Sequence, residues 1–267
     1  TSSAASDVYK RQIFNYLKLP VGSKVLVPAH TMLATASAAK SANLIPVPVD
    51  VDNKSLMVEI EQLKNCDLTN VSSCMITQLN GVVADMKPIK ELCESNNIYL
   101  VEDSAQGLGA FNEKNHSGSW GIGGCLSFYP AKVAGALGDG GAVITNDDGL
   151  AEFSKSVRDH GRGEGLEAIN WGRNSRLDSL NARVLIERLK DLEKLISIRR
   201  KLANVYNEEL RDLEVKGKLK LPPKFSTNSN SLSTYQNYEI QAKNRNELIY
   251  FLKKNNIGTI KQWGGFS

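Results

Sequence analysis

The sequence predicts an α/β protein built on a doubly wound sheet, and three observations carry that expectation. From Val25 to Asn146 short apolar, β-favouring runs alternate with stretches of helical period, as a doubly wound sheet requires. The run Asn97-Ile98-Tyr99-Leu100-Val101 is apolar enough for a buried strand, which places Glu102 and Asp103 at its carboxyl end, where sheets of this kind collect ligands. A chain of 267 residues with 41% hydrophobic content can bury a sizeable core, and that length admits one large domain or two.

The expected strands are Val25–Val27, Ile45–Val49, Ser73–Thr77, Tyr99–Glu102, Cys125–Ser127 and Ala142–Thr145. Between them, Thr35–Ala42 reads as a small-residue helix, Asp85–Asn96 as an amphipathic one introduced by Pro88, and Asp147–Asp159 as a third. From Leu177 to Leu213 apolar residues recur at helical spacing, as in Leu185, Leu189, Leu192, Ile196 and Leu202, which predicts one long helix with a break near Ile198. Pro222-Pro223 and the polar run Ser226–Thr234 read as a linker. Beyond it, strands at Tyr235–Ala242 and Ile257–Ile260 would flank a helix over Arg245–Asn255, the start of a smaller α/β domain. The turn Gly121-Ile122-Gly123-Gly124 lacks the strand, G-x-G-x-x-G, helix order of a dinucleotide fingerprint and is not read as one.

Charge narrows the class of partner. The net charge of +4 is a small excess spread along the chain, and its densest cluster, Lys216-Gly217-Lys218-Leu219-Lys220, reads as a solvated loop and not as a nucleic-acid surface. No apolar stretch approaches the roughly 20 residues that cross a bilayer, and no signal peptide is recognisable, so no membrane partner is expected. Cys66, Cys74, Cys93 and Cys125 have neither C-x-x-C spacing nor a nearby histidine pattern; a reduced, cytoplasmic setting fits them, without a metal.

Two residues stand out chemically. Lys132, in Ser127-Phe128-Tyr129-Pro130-Ala131-Lys132, precedes Gly138-Asp139-Gly140-Gly141-Ala142-Val143 on a short loop before a buried strand. A lysine held there can form a Schiff base with an aldehyde cofactor. Asp103, in Val101-Glu102-Asp103-Ser104-Ala105-Gln106, needs a cationic partner, and the pyridinium nitrogen of pyridoxal 5′-phosphate is such a partner. Either residue alone would be read more plainly, Asp103 as a turn cap and Lys132 as a solvated side chain; the pair favours the chemical reading.

These two segments resemble those of the DegT/DnrJ/EryC1/StrS family of pyridoxal-phosphate sugar aminotransferases. So do Val27-Pro28-Ala29-His30-Thr31, Pro46-Val47-Pro48-Val49-Asp50-Val51-Asp52, Asn80-Gly81 with Ala84-Asp85-Met86, and Trp171-Gly172-Arg173-Asn174-Ser175-Arg176-Leu177-Asp178. The likeness runs in order from about Ile13 to the last residue. It implies the large domain of a fold-type I transferase, a mixed, mostly parallel sheet sandwiched by helices, over residues 13–197, followed over 198–267 by an inter-domain helix and part of a small C-terminal α/β domain. It also implies amino transfer, from glutamate, to the ketone of a nucleotide-linked deoxysugar used in surface glycans.

By that resemblance Lys132 is the catalytic Schiff-base lysine, Asp103 pairs with the ring nitrogen, Gln106 lies by the ring and its phenolic oxygen, and Ser127 binds phosphate. Asn174 would reach the phosphate of the neighbouring subunit, making the active site a property of a homodimer. Met32 stands where the family usually has an aromatic residue stacked on the ring; it reads equally as a thioether cover or as core filling. Gln106 and Ser127 have plainer readings as loop and strand-end residues, and Asn174 as a turn residue. His30 reads as a cofactor contact or a structural histidine; Arg158, His160 and Arg162 as a diphosphate contact or a solvated helix end. A catalytically silent or regulatory protein is the alternative of a different class; a sugar dehydratase, in which the lysine is replaced, is a weaker one because Lys132 is present.

The two ends read differently from the middle. Residues 2–12 back-translate without a gap into a sequence resembling the transposase adapter of sequencing libraries and show neither a helix nor a strand period, so residues 1–12 are expected to be translated adapter outside the fold. The family's Gly-Thr or Gly-Ser phosphate turn, expected ahead of Ile13, has no counterpart, and the chain reads as a fragment of a longer gene.

Overall fold

The computed structural model describes residues 5–165, 167–223 and 231–265. Helix α1 (Ala5–Leu17) leads into β1 (Lys24–Pro28), and the chain then alternates through α2 (Leu33–Ser41), β2 (Ile45–Val49), α3 (Ile60–Lys64), β3 (Val71–Thr77), α4 (Met86–Ser95) and β4 (Tyr99–Asp103). A small hairpin, β5 (Phe111–Asn112) and β6 (Asn115–His116), precedes β7 (Gly123–Ser127), β8 (Gly141–Ile144) and α5 (Asp148–Val157). The main sheet is six-stranded in the order β2-β1-β3-β4-β7-β8. Its neighbours run parallel except β7 and β8, which are antiparallel. The fold is therefore the α/β architecture that the alternating pattern predicts, in the mixed, mostly parallel form that the resemblance implies.

Period-2 alternation divides the core into two layers. On one face Leu26, Cys74, Ile76 and Leu100 pack with Leu63 of α3 and Ile89 and Cys93 of α4. On the other, Val25, Val27, Met75, Val101 and Cys125 pack with Tyr9, Ile13 and Phe14 of α1, Ala38 and Ala39 of α2, and Leu150 of α5. Glu102 and Asp103, consecutive at the end of β4, continue this alternation onto opposite faces. Glycine is required where backbones meet: a Cβ on Gly121 would lie 2.1 Å from the Leu100 carbonyl oxygen, and one on Gly124 would lie 2.3 Å from Gly118 Cα. That close packing, and not a nucleotide loop, is what this glycine cluster serves.

Three expectations are corrected. Residues 5–12 are not outside the fold but form most of α1, because Tyr9, Lys10, Ile13 and Phe14, at i, i+1, i+4 and i+5, share one helix face and are all buried. Full burial of Ile13 and Phe14 contributes about 1.5–3 kcal/mol each; Lys18, at φ 47°, ends the helix. The long helix is divided into α6 (Ser179–Lys190), α7 (Leu192–Glu209) and α8 (Arg211–Val215), with breaks at Asp191 and Leu210 and none at Ile198. At Asp191 the backbone N–H turns back to the Arg188 and Leu189 carbonyls, closing one helix before the next begins.

Of the expected C-terminal strands only a fragment forms. Strand β9 (Leu219–Lys220) pairs antiparallel with Gln241–Ala242, while β10 (Ser231–Leu232) joins β5; Gln241–Ala242 is β11. Residues 235–240 instead run along the main domain, where the Gln236 N–H donates to the Asn80 carbonyl. Helix α9 (Arg245–Lys254) forms as expected, but Ile257 donates its N–H to Leu252 to close that helix, and residues 257–260 have no strand beside them. A β-favouring run without a partner does not make a strand. In the expected linker, Ser226–Asn230 lies outside the described residues.

Candidate active site

Asp103 and Lys132 converge at the carboxyl edge of the sheet. Asp103 is the last residue of β4 and is buried. Its Oδ2 accepts from Thr35 Oγ1 at 2.6 Å and pairs with Lys10 Nζ at 2.7 Å, while Oδ1 accepts from the Ala105 N–H at 3.2 Å. Thr35 lies on α2 and Lys10 on α1, so both helices on this face aim a polar group at one carboxylate. The Thr35 hydroxyl is joined to Thr31 at 2.8 Å, and Thr31 to Thr77 at 2.9 Å, which fixes the rotamer facing Asp103. Burial by itself would raise the Asp103 carboxyl, but the Lys10 ammonium, with Thr35 and the Ala105 N–H, more than offsets it and holds the group below its ordinary value.

Lys132 sits half-buried in the connection between β7 and β8. Its N–H donates to the Tyr129 carbonyl at 2.8 Å, and the Ala136 N–H closes the turn on Phe128 at 2.7 Å. Gln236 clamps the loop from outside: its amide donates to the Ala131 carbonyl and its Oε1 accepts from the Val133 N–H, each at 2.9 Å. Burial pushes the Lys132 ammonium below its ordinary pKa; Asp103 opposes that shift and Lys10 adds to it. Both charges are thus felt at Lys132, which places Lys10, Asp103 and Lys132 in one electrostatic cluster.

The other expected residues are placed unevenly. Ser127 is buried at the end of β7, its Oγ 3.4 Å from the Tyr129 N–H that it accepts. Gln106 is buried and its Oε1 accepts the Asn80 N–H at 2.6 Å, so part of its role is to hold the loop. Met32 stands just before α2 and is 51% exposed, which removes its reading as core filling. Asn174 is exposed and forms a bridge with Asp159 beyond α5. His30 lies 3.3 Å from Glu239 and edge-on to Trp263, an arrangement of the C-terminal segment and not of the Asp103 cluster. Arg158 caps α5 and is exposed, His160 has φ 59°, and Arg162 lies 3.9 Å from Asp159.

Residue reading missed Lys10, Thr35 and Gln236. A signal for Thr35 lay in its helix pattern one turn from Thr31; Lys10 had none, because the stretch around it carried no recognised period. The donor set suits a pyridoxal phosphate site in three respects: a buried ionised carboxylate for a protonated ring nitrogen, an amine of lowered basicity, and a strand-end hydroxyl. In one respect it does not, since the Asp103 carboxylate already holds the Lys10 ammonium.

The fold and this lysine–aspartate pair define a fold-type I aminotransferase architecture. The profile of the DegT/DnrJ/EryC1/StrS aminotransferase family matches residues 13–263, and the chain belongs to that family. Among curated relatives it is 34% identical over 239 residues to a "Pleiotropic regulatory protein" of Geobacillus stearothermophilus, covering 90% of this chain and 63% of that protein. It is 30% identical over 238 residues to a UDP-2-acetamido-2-deoxy-3-oxo-D-glucuronate aminotransferase of Pseudomonas aeruginosa, covering 89% and 64% respectively. The chain therefore spans less than two thirds of the length of these relatives. A crystal structure of a family aminotransferase from Brucella abortus superposes with a TM-score of 0.89 at 32% identity, over 98% of this chain and 70% of that one. DesV of S. venezuelae, in complex with a ketimine intermediate, gives 0.90 at 29% identity, over 96% and 68%.

Proposed function

We propose that this chain carries the cofactor half of a pyridoxal-phosphate-dependent aminotransferase that moves an amino group, from glutamate, to the ketone of a nucleotide-linked sugar. The observation that carries the reading is the convergence of an ionised, buried Asp103 with the half-buried Lys132 on one edge of the sheet. The relatives named as acting on UDP- and dTDP-linked amino sugars support the substrate class. Among the described residues no helix is long and apolar enough to cross a membrane.

Bound pyridoxal phosphate supplies an aldehyde for the amine and a ring that accepts electrons from the substrate carbon. Asp103, whose carboxyl is held below its ordinary value, would keep a proton on the ring nitrogen. Lys132 Nζ, less basic than an exposed lysine, releases a proton readily and can carry one between substrate carbon and cofactor. Gln236 and the turn around Phe128 hold the backbone of the loop that carries that amine. The Ser127 hydroxyl and, from the neighbouring subunit of a homodimer, Asn174 would take the phosphate. Met32, exposed just before α2, would cover the ring with a thioether in place of an aromatic face.

A second reading, a silent or regulatory protein, is favoured by one observation, the Lys10 ammonium on Asp103. The experiment is uptake of pyridoxal phosphate followed by borohydride reduction and peptide mapping, in the chain and in Lys10→Met. The expected result is a visible absorbance band and a fixed adduct on Lys132, both lost in Lys132→Ala, with amino transfer to a keto-sugar nucleotide. An adduct without transfer to any such sugar favours the silent reading. No adduct in either folded chain sinks the aminotransferase reading.

A further inference from the structure

We propose that Lys10 is an internal occupant of the cofactor subsite: its ammonium holds the place on Asp103 that a protonated ring nitrogen would take, so the packed position of Lys10 and a bound pyridinium ligand exclude one another. This rests on the cofactor reading above and goes beyond it, because it concerns what the chain must undo before the cofactor can enter.

The geometry is that of a filled site. Lys10 is 1% exposed, and its Nζ lies 2.7 Å from a carboxylate that is itself buried. A lysine ammonium is almost never taken out of water without a compensating carboxylate. Asp103 is that compensation. The next carboxylate along β4, Glu102, faces the opposite layer and accepts from Gln78, Gly118 and Trp120. On the α1 face, Oδ2 of Asp103 already takes both Lys10 and Thr35, and Oδ1 takes the Ala105 N–H.

Charge counts against joint occupancy as well. Lys132 feels the Lys10 charge, so the cluster already sets two amines against one carboxylate. A pyridinium entering beside them would add a positive charge in a water-poor space where like charges interact strongly. Nor can Lys10 leave at no cost. Its neighbours on α1, Tyr9, Ile13 and Phe14, are buried in the core, and Tyr9 Oη donates to the Ser175 carbonyl at 3.4 Å. A side chain anchored on such a helix leaves only by repacking that face or by shifting α1. The affinity for a pyridinium ligand is reduced by the fraction of molecules in which Asp103 is open. The same holds whatever the origin of residues 1–12.

The test uses 4′-deoxypyridoxine 5′-phosphate, which keeps the ring nitrogen and phosphate but has no aldehyde, so binding is read apart from chemistry at Lys132. Calorimetric titration of the chain, Lys10→Met and Lys10→Arg should show at least about tenfold tighter binding to the methionine variant, with the arginine variant as weak as the parent. Circular dichroism checks that each is folded, and Lys10→Gln, which keeps a neutral donor to Asp103, serves if the methionine variant is not. In the parent, acylation of Lys10, followed by mass spectrometry, should be slow and should accelerate when the analogue binds. Equal, tight binding to parent and variants, or acylation of Lys10 that the analogue slows or leaves unchanged, overturns the exclusion and leaves the cofactor reading standing. No binding to any folded variant overturns the cofactor reading, and the exclusion with it.

Discussion

Two buried carboxylates one residue apart, Glu102 and Asp103, are satisfied in opposite ways. Glu102 points into the α3–α4 layer and is held by neutral donors: Gly118 N–H at 2.8 Å, Trp120 N–H at 2.6 Å and the Gln78 amide at 2.7 Å. Asp103 points into the α1–α2 layer and is held by a cation and a hydroxyl. Burial raises the Glu102 carboxyl despite its donors, whereas the Lys10 ammonium keeps Asp103 low although it is buried as well. Backbone N–H groups stay with the fold, so the Glu102 contact is structural. An ammonium at the end of a side chain can be exchanged for another cation, so the Asp103 contact is one that a ligand can replace. Two identical functional groups thus take different roles from what faces them.

Removing Glu102 should break this contrast with the largest effect. Glu102→Leu strands the N–H groups of Gly118, Trp120 and Gly121 in the core. At roughly 1–3 kcal/mol for each unsatisfied buried donor, the expected loss is about 5 kcal/mol, read by urea unfolding. A loss below about 1 kcal/mol would mean that water takes over the site and that Glu102 is no anchor.

On the other face the smaller change is Thr35→Val, which keeps the shape and removes the 2.6 Å bond to Asp103. A hydrogen bond to a charged acceptor contributes about 1.5–3 kcal/mol, so a loss near the lower bound is expected in the same assay. If the stability is unchanged, Lys10 and the Ala105 N–H sustain Asp103 without Thr35, and the hydroxyl chain from Thr77 is incidental.

The smallest effect separates the two groups by the sign of their pH dependence. Asp103 is depressed in the fold, so its contribution is present above its ordinary 3.8 and is lost as pH falls through the folded value below that. Glu102 is raised, so relative to the unfolded chain its contribution is present below its ordinary 4.5 and is lost as pH rises through the folded value above that. Urea unfolding between about pH 3 and 7 should therefore lose its acid limb in the Lys10→Met, Asp103→Asn double variant, and lose the decline above pH 4.5 in Glu102→Gln. Parallel curves for both variants would remove the distinction.

Much of the site was legible because its spacing is local. The end of β4 follows from an apolar run that stops at a carboxylate, and the Lys132 turn follows from a loop between two strands. Partners far along the chain were not. Gln236 reaches the Lys132 loop from across the fold, and nothing in residues 235–240 distinguishes a clamp from a strand. The divisions at Asp191 and Leu210 escaped because the apolar period continues through both while the backbone bonds do not.

By itself the sequence determined the order of strands and helices along the chain, the family, and Asp103 and Lys132 as the residues to look at, because each is written in short-range patterns of apolarity and residue type. Only the tertiary structure decided that the first helix belongs to the fold and that Lys10 lies on Asp103. A lysine among Tyr9, Ile13 and Phe14 reads as a solvent-facing residue until a distant strand brings a carboxylate to it. The reason is physical: periodicity reports which face of an element is buried, but the partner of a buried charge is set by packing between elements.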